Sequence, residues 1–164
     1  MDQMIHDLDI ARWVAGEVVS VSATSVRAGD AEHPVEAAHV LLTHASGAIS
    51  QVAGIWGPAH LSFTTEYSVT GTLGTLTHSS AAERNYVADL ASTTVGAELT
   101  PATDSAASPY FCEIEDFLGA FQGGPAPRVT LDDGIAAVII ANAALESLAT
   151  GQPVRLAADE KVSA

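Results

Sequence analysis

The chain has 164 residues, 48% of them hydrophobic, with 6 Lys and Arg against 20 Asp and Glu and a formal net charge of −14. That is enough chain to bury a core as one globular domain over residues 1–164, and too acidic for nucleic acid or anionic lipid, which bind through clustered basic side chains. Cys112 stands alone, which excludes an intrachain disulfide and a multi-cysteine zinc site; no basic region leads into a long apolar run, and about eighteen uninterrupted apolar residues occur nowhere, so the reading is a reducing, cytoplasmic protein outside the membrane.

Ile5, Leu8, Ala11 and Ala15 recur at helical spacing, widened by Ile10, Trp13 and Val14, and Gly16 stops this first helix. Glu17 to Thr24 then alternates as a strand, with Val19, Val21 and Ala23 on one face and Val18, Ser20 and Ser22 on the other. Val35–Thr43 and Ala48–Trp56 predict a hairpin about His44-Ala45-Ser46-Gly47, whose glycine supplies the left-handed conformation of a tight turn. Leu61–Val69 predicts another strand, turned at Thr70-Gly71-Thr72-Leu73-Gly74 into a shorter one ending near His78, and Arg84–Leu90 a further one. Residues 91–108 are Ser, Thr, Ala and Gly without a period and predict a mobile loop.

Ser108 and Pro109 open a second helix with Tyr110, Ile114, Phe117, Leu118 and Phe121 in one stripe, closed at Gly123-Gly124-Pro125. Cys112, in that apolar pattern, reads as a small buried hydrophobe. Thr130-Leu131-Asp132-Asp133 predicts a capped, longer helix with Ile135, Val138, Ile139, Asn142 and Leu145 inward and Gly151 and Pro153 at its end. Pro153–Leu156 adds a last strand, and residues 157–164 read as a frayed tail. Helix, many strands, helix, helix, strand is the order of an α+β domain with a mainly antiparallel sheet and its helices on one face.

Asp2-Gln3-Met4-Ile5-His6-Asp7-Leu8-Asp9-Ile10-Ala11-Arg12-Trp13 resembles the start of the C-terminal domain of Gfo/Idh/MocA oxidoreductases, where an aspartate precedes a histidine by four residues on one helix. Glu17-Val18-Val19, Ser46-Gly47-Ala48-Ile49, Val69-Thr70-Gly71-Thr72-Leu73-Gly74-Thr75-Leu76, Pro109-Tyr110 with Glu115-Asp116-Phe117, and Asp132-Asp133-Gly134 through Ala144-Leu145-Glu146-Ser147 follow in the family's order. The resemblance implies an open-faced sheet like that of the dihydrodipicolinate reductase C-terminal domain. It also implies an NAD(P)-dependent reaction at the hydroxyl of a sugar, polyol or related compound, and homo-oligomers formed through the sheet face. The nucleotide-binding Rossmann half and the family's catalytic lysine belong before the first residue, and Lys161, the only lysine, lies in the tail. No G-x-G-x-x-G stands between a strand and a helix, so NAD or NADP is expected in the full-length protein and in no site of this chain alone.

Positions four apart lie above one another on a helix, so Asp2 and His6 can face one cleft if helical geometry reaches that far back. By resemblance, His6 exchanges the hydroxyl proton while Asp2 helps hold the hydroxyl and the lysine; the plainer alternative makes Asp2 a helix cap and His6 an ordinary first-turn residue. Gln3 is a weaker candidate for contacting substrate. Asp7 and Asp9 beside the pair read as acidic first-turn residues that suit the helix dipole, Asp9 as mainly structural, and His39, His44, His60 and His78 as strand-surface or solvated residues without metal-ligand spacing. Trp56, Tyr67 and Tyr86 suit a sugar pocket, although aromatics in strands more often serve a core or an interface, and the sequence does not choose among them. Two functions remain open: the substrate and oligomerisation half of a dehydrogenase, inactive without its nucleotide-binding half, or a binding and dimerisation module without redox chemistry.

Overall fold

The computed structural model describes residues 4–32, 34–57, 64–81, 86–90, 93–97 and 109–157. They fall into two compact units, one of residues 1–59 with 128–164 and one of residues 60–127. All described strands pair antiparallel, and helices join them in the α+β class expected.

In the first unit α1 (Ile5–Ala15), β1 (Val18–Gly29), β2 (Pro34–His44) and β3 (Ile49–Trp56) follow in sequence, and α3 (Leu131–Thr150) and β8 (Val154–Arg155) complete it. Its sheet runs β3-β2-β1-β8. Val40 pairs with Val52, Leu42 with Ser50 and Ala38 with Gly54, while Val21 and Ala23 of β1 lie opposite Leu42 and Val40. Paired residues share a face, so these line one side of the sheet. Leu8 of α1 and Ile140, Ala141 and Ala144 of α3 cover that side and form the core with them. Each buried Leu, Ile or Val there contributes about 1.5–3 kcal/mol.

Two expectations of phase fail. The register slips between Val18 and Ser20, so Val18 and Val21 are both buried instead of lying on opposite faces. In α3 the inward residues are Ala137, Ile140, Ala141, Ala144 and Ser147, whereas Val138, Asn142 and Leu145 point outward. Small side chains let the helix approach the sheet closely enough for the Ser147 hydroxyl to accept from the amide of Ala23 at 2.9 Å. Among the described residues α3 is the one helix long and apolar enough to cross a membrane; here it lies against β1 and β8.

The α3 N-terminus is fastened as its sequence foretells. Thr130 accepts from the Asp133 amide while the Asp133 carboxylate accepts from the Thr130 amide at 2.9 Å and its hydroxyl at 2.6 Å. Arg12 of α1 adds a bond to Asp133 at 2.9 Å and another to Glu17 at 2.8 Å. The Thr130 hydroxyl and amide, with Arg12, lower the Asp133 pKa from 3.8 to about 2. A depressed carboxylate stabilises the fold above its unfolded pKa and loses that contribution as pH falls through the folded one. Asp133→Asn should therefore melt a few degrees below the unsubstituted protein at neutral pH, and the gap should close between about pH 4 and about pH 2 in thermal melts; a gap independent of pH would mean that the charge has no part in it.

The second unit holds β4 (Glu66–Gly71), β5 (Gly74–Ser79), β6 (Tyr86–Leu90), β7 (Thr93–Ala97) and α2 (Pro109–Phe121). Its sheet runs β4-β5-β6-β7, each strand antiparallel to the next. The strand expected at Leu61–Val69 begins only at Glu66, with residues 61–63 outside the described residues, and β7 lies inside the stretch expected to be loop. Threonines and small residues carry no apolar alternation, yet the β6 backbone pairs with them. The α2 stripe Tyr110, Ile114, Phe117, Leu118 and Phe121 is exposed, and Cys112 is half-buried where full burial was expected.

Candidate functional site on the first helix

The eleven residues of α1 have the expected bounds. Leu8 is fully buried beneath it. Its far end leans on the β2–β3 turn: the Ser46 hydroxyl donates to Ala15 O at 3.0 Å, the His44 ring to Gly16 O at 2.6 Å and the Ala45 amide to Glu17 O at 2.7 Å. The Ala15 and Gly16 carbonyls are among those that a helix end leaves without intrahelical donors, and Glu17 follows directly after them. Gly16 and Gly47 make the two turns possible, with φ of 91° and 86° in the region that disfavours side chains.

His44 was expected at the surface and is instead 2% exposed. A carbonyl only accepts, so Nδ1–H donates to Gly16, and Nε2 shares the second bond with the Ser50 hydroxyl at 2.8 Å. It is a structural strut. His39 lies on the opposite face of the sheet, its Nδ1 3.2 Å from the Gln51 amide nitrogen, and His78 stacks on Tyr67 with ring centroids 4.9 Å apart. His60 lies outside the described residues. Among the described residues no three His, Cys, Asp or Glu side chains are grouped to hold a metal.

His6 sits in the first turn of α1, exposed, on the side opposite Leu8 and in line with Ile10 and Trp13 at helical spacing, both exposed as well. Asp7 beside it is exposed as well, but the protein on its inner side keeps water from part of the carboxylate, and that desolvation raises its pKa, while the nearby His6 charge pulls it back down. The sequence pattern passed over Asp7 as one more acidic first-turn residue, although its adjacency to His6 was the available signal. Asp2 and Gln3 lie outside the described residues; the N-cap is Met4, which makes no side-chain cap bond. Of the three candidates, the structure thus places His6 alone.

An exposed imidazole with a carboxylate beside it can take a proton from a bound hydroxyl and return it. Phosphate-binding chemistry is a different matter. Gly71 and Gly74 pair with each other across the β4–β5 turn and open no helix, so they offer a pyrophosphate no helix N-terminus. Of the pocket aromatics, Trp56 is exposed on β3, Tyr67 carries the His78 stack, and Tyr86 lies on β6.

Comparison with solved structures gives the fold a context. An oxidoreductase from Agrobacterium radiobacter in complex with NAD+, L-tartaric acid and magnesium is similar over 92% of this chain and 47% of its own, with TM-score 0.72 and 23% identity. The WlbA dehydrogenase from Bordetella pertussis in complex with NADH and UDP-GlcNAcA covers 96% of this chain and 45% of its own, at TM-score 0.71 and 18% identity. An aldose-aldose oxidoreductase from Caulobacter crescentus complexed with glycerol covers 93% and 45%, at TM-score 0.65 and 21% identity. The chain thus spans less than half the length of each. No curated protein sequence matches it. The family model described as "Oxidoreductase family, C-terminal alpha/beta domain" matches residues 1–156, and the chain therefore belongs to the Gfo/Idh/MocA oxidoreductase family, as its C-terminal domain.

Proposed function

We propose that this chain is the substrate-binding and oligomerisation half of an NAD(P)-dependent dehydrogenase acting on a hydroxyl carbon of a sugar, polyol or related compound. The observation that carries it is His6, exposed at the start of α1, where the family resemblance puts the proton-transfer group. In this reading His6 removes the hydroxyl proton as the carbon is oxidised to a carbonyl, and returns it in the reverse direction. Asp2 holds the hydroxyl, with Gln3 as a lesser contact. The cofactor, which accepts the hydride, is held by a nucleotide-binding half of the whole protein, since the glycines of this chain do not fit a dinucleotide.

Support for the oligomer comes from the sheet face away from the helices. Val26, Leu41, Ile49 and Ile55 are exposed there, an apolar set that a sheet open to water on that face would not carry. A module without redox chemistry would share that face but would have no use for His6.

The test is a panel of polyols and aldoses given to the whole protein with NAD+ or NADP+, followed as nicotinamide reduction, beside calorimetry of the 164-residue chain with either nucleotide. Turnover on at least one hydroxyl substrate, and no binding by the chain alone tighter than about micromolar, are the expected results. Tight nucleotide binding by this chain, or silence across the panel, would overturn the assignment.

A further inference from the structure

Met4 is buried, 5% exposed, at the N-cap of α1, two residues ahead of His6, and its carbonyl accepts from the Leu8 amide at 3.0 Å. Its side chain crosses β3 at Gly54, on the helix-covered face of the sheet opposite Ala38. A Cβ on Gly54 would stand 2.6 Å from Met4 Cγ and 2.9 Å from Sδ. Apolar carbons rest at about 3.5–4.0 Å. The thioether stem therefore occupies the room that any side chain at position 54 would need.

We propose that Gly54 is a positioning residue for the reaction: its bare backbone is the seat on which Met4 sets the height of α1 above the sheet, and with it the place of His6. The inference rests on the reading of His6 as the proton-transfer group. The contact is made near the root of the Met4 side chain, at Cγ, so a methyl at Gly54 pushes close to the helix backbone itself. Relief needs a shift of about 1 Å. Met4 and His6 are half a turn apart in one hydrogen-bonded segment, so the displacement passes to His6. Leu8, fixed in the core, turns the shift into a tilt of the first turn.

The experiment uses Gly54→Ala and the double variant Gly54→Ala/Met4→Ala. In the 164-residue chain, the His6 ring resonances should move in Gly54→Ala and return toward their original positions in the double variant, in which the shortened side chain frees the seat. In the whole protein, kcat for Gly54→Ala should fall about tenfold or more with KM nearly unchanged, and recover in the double variant. A structural role alone would lower the melting temperature but leave kcat per folded molecule intact. Should Gly54→Ala fail to fold, Met4→Leu crowds the same seat from the other side and should move the same resonances. Unmoved His6 signals in whichever variants fold would overturn the proposal, because Met4 would then be swinging aside. Signals that move and recover while kcat stays constant would uphold the seat and remove His6 from the chemistry, which separates the two failures.

Discussion

Alanine in place of His6 in the whole protein should lower the proposed turnover by about a hundredfold or more, the scale on which a general acid or base acts. Its melting temperature should stay within about a degree, since replacing an exposed residue outside the core changes stability little. The pH profile is the sharper readout. A residue that moves a proton in the reaction marks the pH dependence of the rate, and the variant should lose that mark. Asp7 needs a control, because desolvation has raised its carboxyl pKa and it too would shape an acidic limb. Asp7→Asn should leave the contribution of His6 in place, whereas unchanged turnover and pH dependence in His6→Ala would end the assignment.

Ile55→Asp should convert the proposed homodimer to a monomer at micromolar concentration, as read by light scattering. Ile55 is 68% exposed on the outer sheet face, in register with Ala37 and on the same face as Leu41 and Val26. Stable homodimers bury on the order of 2,000 Å² or more, and a carboxylate taken out of water in such an interface costs several kcal/mol unless a partner charge is built to meet it. The monomer itself should be little affected, because the substituted side chain already faces solvent. If the unsubstituted protein scattered as a monomer at that concentration, the face would have some other use.

How far the sequence could be read depended on which signal each element carried. The bounds of α1 were legible because Gly16 ends an unambiguous apolar spacing, and the α3 start because Thr130 and Asp133 stand three apart. The phase of α3 was not. Its apolar residues surround the helix, and the choice of the inner side fell to alanines, whose merit is closeness to the sheet and which no hydrophobicity pattern ranks above Val138 or Leu145. Strand β7 was illegible because it borrows its order from the β6 backbone. His44 was read as solvated because nothing local in its turn reveals that the Gly16 carbonyl will come to meet it. At the site, the spacing of Asp2 and His6 suggested a shared face, and it was the order of motifs along the chain that gave His6 a chemistry. The Met4–Gly54 contact joins residues fifty positions apart, beyond the reach of any local pattern.

The first unit is assembled from two separate stretches of chain, and the two-residue β8 is where they are stitched, Val154 and Arg155 pairing with Val21 and Ser20. The stretch between, residues 60–127, enters after β3 and leaves before α3, so its ends are set by elements whose positions the first unit already determines. From the first unit's standpoint it is a folded insert whose strands form a sheet of their own and take no part in the sheet beneath α1. A change of length inside it therefore leaves the pairing of that sheet untouched, whereas one residue gained or lost in the β2–β3 turn would dislodge the struts at the end of α1.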